Sequence, residues 1–229
     1  SKFVKKSISL AHKLALRDDV SGIINCAINK NLLNKANTGV TELLASKCKI
    51  KDKSEVMLIT NTRLSVCPLT THIDIKNILK NITSKTIHAK IKTIHQWYKR
   101  KFKKNPKIAM LGLNPHNAEF RQGSEEKRVI IPTIKKLRNK KINLKGPFVA
   151  DTFFINDYKD YDVVVGMYHD QVLAPFKSLF KFDAINISLG LKYLRVSPDH
   201  GVAINIIGKN KADETSLFKC INFVNRFGK

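Results

Sequence analysis

No stretch of about 18 consecutive apolar residues occurs in the 229-residue chain, so no transmembrane helix is expected. Ser1 to Asp19 is basic but has no clean apolar core and no cleavage site, so it does not read as a secretory signal. The four cysteines, Cys26, Cys48, Cys67 and Cys220, show no Cys-x-x-Cys spacing. They read as reduced thiols, which points to the cytoplasm. No Gly-x-Gly-x-x-Gly occurs, so there is no Rossmann fingerprint. Acidic residues are scarce, 18 against 42 Lys and Arg, for a net charge of +24. Such a balance ordinarily suggests a nucleic-acid partner. Here the cations are scattered, only Lys99 to Lys104 forms a block, and no zinc-finger, RRM or helix-turn-helix signature accompanies them. The charge reads as a solvated surface, and nucleic acid is not expected as a partner.

What the chain does contain is organised around Tyr161 to Lys177, YDVVVGMYHDQVLAPFK. A Val-rich apolar run suits a strand buried on both faces of a parallel sheet. It ends in His169-Asp170-Gln171, and ligands of open α/β sheets bind beyond the carboxyl ends of strands. The pattern recurs twice. Lys107 to Leu113 ends in Asn114-Pro115-His116, and Arg63 to Leu69 ends in Thr70-Thr71-His72. Neutral imidazole is the commonest metal ligand, and three histidines with one open position make a catalytic divalent site. His72, His116 and His169 are therefore the candidate metal ligands.

The motifs TTH at 70–72, GLNPH at 112–116, GPFVADTFF at 146–154, MYHDQ at 167–171 and SPDHGVA at 197–203 together resemble the 4-hydroxythreonine-4-phosphate dehydrogenase family, in order and spacing, from about Asp19 to the C-terminus. The resemblance implies an α/β, three-layer αβα fold of the isocitrate/isopropylmalate dehydrogenase-like type in two domains. Residues 1–34 with 201–229 would form the remainder of a cofactor-side domain, truncated at its N-terminus, and 35–200 the domain with the metal and substrate site. The family's opening segment with its Gly-Asp-Pro-Ala-Gly motif is not found ahead of Ser1. It further implies NAD and a divalent metal (Zn, Mg or Co) as cofactors, a phosphorylated small-molecule substrate, and a homodimer whose two subunits both line the site. The implied reaction is oxidation of 4-phosphooxy-L-threonine and decarboxylation of the 3-oxo product, in vitamin B6 biosynthesis.

Residue by residue, Thr41, Lys177, Asn186 and Arg195 match substrate-binding positions of that family. Two cations and an amide suit a phosphorylated, zwitterionic amino acid. Asp199, His200, Gly201 and Ala203 lie in a loop that resembles the adenosine-binding loop of the larger group. Asp151, Asp170 and Lys177 are the catalytic candidates. Three departures stand out. Val40 occupies the His position of the family's Gly-His-Thr-Glu, Asn25-Cys26-Ala27 replaces a Thr-Gly-Pro before Lys30, and Val202 replaces a usual Thr. Valine can neither hydrogen-bond a substrate nor carry charge, so weak turnover is expected. Two rivals follow: a dehydrogenase of another phosphorylated hydroxy acid, such as threonate or erythronate phosphate, and a degenerate, non-catalytic metal- or nucleic-acid-binding relative.

Overall fold

The computed structural model describes residues 2–33, 39–50 and 52–228, with backbone alone at Lys30 and Asn31. The expectations for Lys30 and for Asn37 and Thr38 lie outside what is described. In chain order the elements are α1 (Lys2–Ala15), β1 (Ile23–Ile24), α2 (Val40–Lys47), β2 (Val56–Thr60), β3 (Ser65–Thr70), α3 (Ile78–Asn81), α4 (Ser84–Phe102) and β4 (Ile108–Leu111). There follow α5 (Ile131–Asn139), β5 (Leu144–Phe148), α6 (Ala150–Phe153), β6 (Val163–Tyr168), α7 (His169–Phe180), β7 (Ile185–Leu189), β8 (Arg195–Pro198) and α8 (Thr215–Phe227).

Among the described residues eight strands join one sheet in the order β1-β8-β7-β2-β3-β6-β4-β5. β3, β6, β4 and β5 run parallel. The three histidine-bearing strands are thus adjacent and end at the same edge, as their apolar runs predict. The other half is antiparallel: β2 opposes both β3 and β7, and β7 opposes β8. The sheet is therefore mixed. The β2–β3 link is too short for a crossover and permits only an antiparallel pair. Asn61 shapes that turn by accepting from the amides of Arg63 (2.8 Å) and Leu64 (2.9 Å).

Helices cover both faces. Ile87, Ile91, Ile94 and Trp97 recur at helical spacing along α4 and pack on Val56, Leu58, Cys67 and Leu69 of one sheet face. Phe153 of α6 with Val172 and Phe176 of α7 packs on Val66, Ala109 and Val164 of the other. A helix expected across Asp74 to Lys104 is interrupted because Thr83 turns extended (φ −125°) and accepts from the Thr86 amide (3.1 Å) as an N-cap. The strand expected over Val20 to Ile28 shrinks to two residues at the sheet edge. Gly146-Pro147, which reads from sequence as the start of a turn, lies instead within strand β5 at the sheet edge, where a missing N–H breaks no ladder, and Ser197-Pro198 closes strand β8.

Candidate active site

Alternation along β7 and β8 creates the floor of the site. Ile185, Ile187, Leu189 and Val196 turn into the main core, which sends Asn186, Ser188, Arg195 and Ser197 to the opposite face. Register places Ser188 beside Met57 and Asn186 beside Ile59. Asn186 also faces Ser197 across the β7–β8 pair. A cleft of about 450 Å³ opens over this polar stripe.

Arg195 is its deepest cation, 3 % exposed. Its Nε donates to Asn25 Oδ1 (2.7 Å) and its Nη1 to Ser188 Oγ (3.1 Å). The Ser188 hydroxyl in turn shares a 2.7 Å bond with Thr41 Oγ1. Burial pushes the guanidinium down to about 10, so it stays charged at neutral pH. Among the described residues no carboxylate lies within ion-pair distance of it. A buried cation held by neutral acceptors alone is costly unless an anion arrives. Asn186 Oδ1 is buried in the same cleft with no hydrogen-bond partner. Lys177 is spoken for: its Nζ donates to Asp199 Oδ2 (2.7 Å) and Asp199 O (3.2 Å).

The histidine wall is assembled from strand ends that are tied together. Thr70 Oγ1 donates to the Met167 carbonyl (2.7 Å). Gln171 accepts from the Met167 amide (2.6 Å) and donates to the Gly112 carbonyl (2.7 Å). Gly166 makes room for this, because a Cβ there would sit 2.9 Å from Gln171 Oε1. His72 and His169 face each other with ring centroids 5.8 Å apart. Gly39 lets His72 approach α2, since a Cβ would lie 2.8 Å from its ring and 2.5 Å from Glu42 Oε2. Glu42 Oε1 accepts from Thr71 Oγ1 (2.6 Å) and stands 3.6 Å from His72 Nδ1. Burial pulls the Glu42 carboxyl upward, but His72 and Thr71 outweigh it and hold it at about 2.

His116 is elsewhere: it does not line the cleft, and its Nε2 is 3.9 Å from Asp151 on an exposed rim. Among the described residues no three His, Cys, Asp or Glu side chains gather at one point. Each histidine nonetheless has a carboxylate near Nδ1, but only Asp170 hydrogen-bonds its ring, at 2.6 Å from His169; Glu119 stands 3.4 Å from His116, and Glu42 stands 3.6 Å from His72, whose Nδ1 is buried without a hydrogen-bond partner. At His169 a proton held toward Asp170 would leave Nε2 as a free lone pair, the usual arrangement behind a metal-binding imidazole. The donor chemistry fits a divalent ion, and one chain supplies two of the three expected nitrogens together.

The His116 loop is strained and clamped. His116 to Phe120 all have positive φ, 48°, 56°, 52°, 48° and 50°, a conformation costing L-residues about 1–2 kcal/mol each. Glu126, fully buried, accepts from the amides of Leu113 and Asn114 (both 2.8 Å) and from Asn114 Nδ2 (2.9 Å).

Of the sequence candidates, Thr41, His72, His169, Lys177, Asn186, Arg195, Asp199, His200 and Gly201 line one cleft, and Val40 lines it too. His116 and Asp151 form a separate pair, Asp170 is largely exposed behind His169, and Ala203 lines an adjoining open cavity of about 980 Å³ that shares His200 and Gly201 with the cleft. Ser188, Asn25 and Glu42 are not among the site residues the sequence singles out, and Gln171, the last of the His-Asp-Gln strand end, ties strand ends together. The signal for Ser188 was available in the alternation of Asn186-Ile187-Ser188-Leu189.

The sheet and cleft define an α/β protein that holds a buried unpaired cation beside a pair of imidazoles. Residues 1–224 match the family Pyridoxal phosphate biosynthetic protein PdxA, and the chain belongs to that family. It is 39% identical over 216 residues to the 4-hydroxythreonine-4-phosphate dehydrogenase of Sulfurihydrogenibium sp. (strain YO3AOP1), covering 92% of this chain and 66% of that relative. A relative in Oceanobacillus iheyensis whose name refers to D-threonate 4-phosphate dehydrogenase is 35% identical over 222 residues, covering 94% and 66%. The crystal structure of 4-hydroxythreonine-4-phosphate dehydrogenase from Klebsiella pneumoniae superposes with a TM-score of 0.81 at 33% identity, covering 97% of this chain and 69% of that one. The fold is accordingly isocitrate/isopropylmalate dehydrogenase-like. The chain spans just under two thirds of the length of the curated relatives it matches, 66% for the two named here.

Proposed function

We propose that this chain carries the substrate site of an NAD-dependent dehydrogenase that oxidises 4-phosphooxy-L-threonine, with loss of CO2, to 3-amino-2-oxopropyl phosphate, in cytoplasmic pyridoxal phosphate biosynthesis. The observation that carries the reading is Arg195, a buried guanidinium with no carboxylate partner, opening onto a cleft. Arg195 Nη1, with the Thr41 and Ser188 hydroxyls beside it, takes the anionic end of the substrate. Asn186 Oδ1, buried and without a donor, accepts from the substrate ammonium. Lys177 Nζ, fixed by Asp199, supplies the proton that the substrate carbon needs once CO2 has left. Asp199, His200, Gly201 and Ala203 face the dinucleotide, whose adenosine fits the roomy adjoining cavity.

A divalent ion (Zn, Mg or Co) would rest on His72 and His169, with His116 supplied by a second copy in a homodimer, and would act as a Lewis acid toward the substrate oxygens. Asp170 orients the His169 ring through its Nδ1, Glu42 lies beside the His72 ring, and Asp151 lies beside His116. Residues 1–34 with 201–229 serve as the cofactor side of the molecule, and 35–200 as the substrate side.

Val40 and the Oceanobacillus relative support a second reading, in which a phosphorylated threonate replaces the amino acid. The test is NADH formation from 4-phosphooxy-L-threonine and from D-threonate 4-phosphate, with added divalent metal, by this chain and by Val40→His. One missing polar contact to a charged group costs about 2–4 kcal/mol, or roughly 30- to 1,000-fold in rate. Weak turnover of the amino acid that Val40→His raises supports the first reading. Better turnover of threonate phosphate by the unmodified chain supports the second. No NADH from either substrate by either protein, with metal and substrate bound, would make the chain a degenerate binding protein.

A further inference from the structure

A third cavity lies on the opposite face of the sheet from the cleft, at the end away from the histidines. The β2–β3 turn, the last turns of α4 and one side of α8 enclose about 540 Å³ there. The six residues of β3 separate it from the histidine edge, roughly 20 Å of extended chain. Nothing in the proposed reaction uses it.

Its walls are aromatic. Phe102, Phe223 and Phe227 are only half-buried, and they pack on one another with centroids 4.9 Å (Phe102–Phe227) and 4.7 Å (Phe223–Phe227) apart. Its floor is polar: Asn61 spends Oδ1 on the turn amides, which leaves its Nδ2 buried with no acceptor. Its rim is cationic. Lys104 and Lys219 are neutralised by Asp162 and Asp183. Arg63 and Arg226 have no carboxylate within ion-pair distance among the described residues, and Arg226 lies 5.0 Å over the Phe227 ring. Ring faces, two guanidiniums without a carboxylate partner among the described residues and an orphaned amide donor line one space.

We infer that this cavity binds a small planar aromatic carrying a phosphate or carboxylate. The ring would stack on the phenylalanines, the anion would sit between Arg63 and Arg226, and an acceptor on the ligand would take the Asn61 proton. Asp183 and Lys219 also line the roomy cavity beside the cleft, so a ligand here borders the proposed dinucleotide space through a shared wall, which makes it a regulatory position.

The single tryptophan supplies the readout, because Trp97 stacks on Phe223 (centroids 6.3 Å, planes 7° apart) and meets Phe102 edge-on at 4.9 Å. Phenyl phosphate is the probe. A saturable change in Trp97 fluorescence is expected, with affinity lowered at least about tenfold in the Arg63→Ala/Arg226→Ala double variant and unchanged in Lys177→Glu, which places an anion in the cleft instead. Calorimetry on the same samples checks the fluorescence. The inference is overturned by the absence of saturable binding in both measurements. It is equally overturned if Lys177→Glu abolishes binding, or if inorganic phosphate or benzyl alcohol binds as tightly as phenyl phosphate.

Discussion

The two walls of the cleft are built from different parts of the sheet and reach different degrees of completion. The anion wall grows out of paired residues of β7 and β8, where alternation buries one face and paves the other. Arg195, Ser188, Thr41 and Asn25 are bonded to one another within a single chain. The histidine wall grows out of strand ends, which are free to present side chains but are fixed only by the loops that follow. Two of its imidazoles meet and the third stands on a strained, exposed loop. Residues paired within the sheet therefore deliver a preorganised charge, while the tips beyond the strands deliver side chains whose placement depends on the loops that follow.

The largest effect expected from breaking this contrast is at Arg195. Its charge is desolvated and unpaired, so Arg195→Met should leave the anion-free chain as stable as wild type, or up to about 2 kcal/mol more stable. The same change should remove the stabilisation that phosphate or phosphorylated substrate gives, with binding weaker by about 100-fold or more. Urea unfolding with and without phosphate measures both. A loss above about 2 kcal/mol without anion would mean that Arg195 is there to hold the sheet together.

His169→Ala probes the other wall. His169 is 36% exposed, so truncation should change stability by less than about 0.5 kcal/mol. Affinity for Zn should fall at least about 100-fold. Metal analysis after gel filtration reads this directly, and equal stoichiometric metal in the two proteins would remove His169 from the site.

Most of this architecture was legible in the sequence for a physical reason. Apolar runs that end abruptly in His-Asp, Pro-His or Thr-His announce buried strands with chemistry at their tips, and β3, β4 and β6 are those strands. What was not legible involves partners distant along the chain. Asn25 looked like the loss of a Thr-Gly-Pro turn, yet 170 positions later it finds Arg195. Glu126 follows another acid, Glu125, in the sequence with nothing to mark it, and only the fold shows it closing on Leu113 and Asn114. That His116 would stand apart from His72 and His169 could not be read either, since strand-end position fixes an edge of the sheet and not the path of the next loop.

Glu126 gives the histidine wall a pH dependence that the anion wall lacks. Burial raises its carboxyl, but the Asn114 and Leu113 donors outweigh that and hold it below its ordinary value of 4.5. A depressed carboxylate contributes stability above the unfolded value, and that contribution disappears as pH falls from about 4.5 through the lower folded value. Wild type should therefore lose more stability than Glu126→Gln between pH 5 and 3, as seen by thermal melts, after starting from a higher melting point at pH 7. Parallel pH curves would show that the clamp is not electrostatic.

The smallest effect is the one most specific to the strained loop. Ala118 has φ 52° and is buried, in the middle of the left-handed run His116 to Phe120. An L-residue pays about 1 kcal/mol for that conformation where glycine does not, although glycine also loses more entropy on folding. The two terms leave Ala118→Gly stabilising by about 0.5 kcal/mol, whereas the same exchange at a right-handed helical position such as Ala45 on α2 should destabilise by a similar amount or more. Opposite signs in paired urea titrations would establish that the loop stores strain at the point where His116 is presented. If Ala118→Gly and Ala45→Gly both destabilise, the left-handed run is not held in solution, and the histidine wall is unfinished for want of an ordered loop as well as a third ligand.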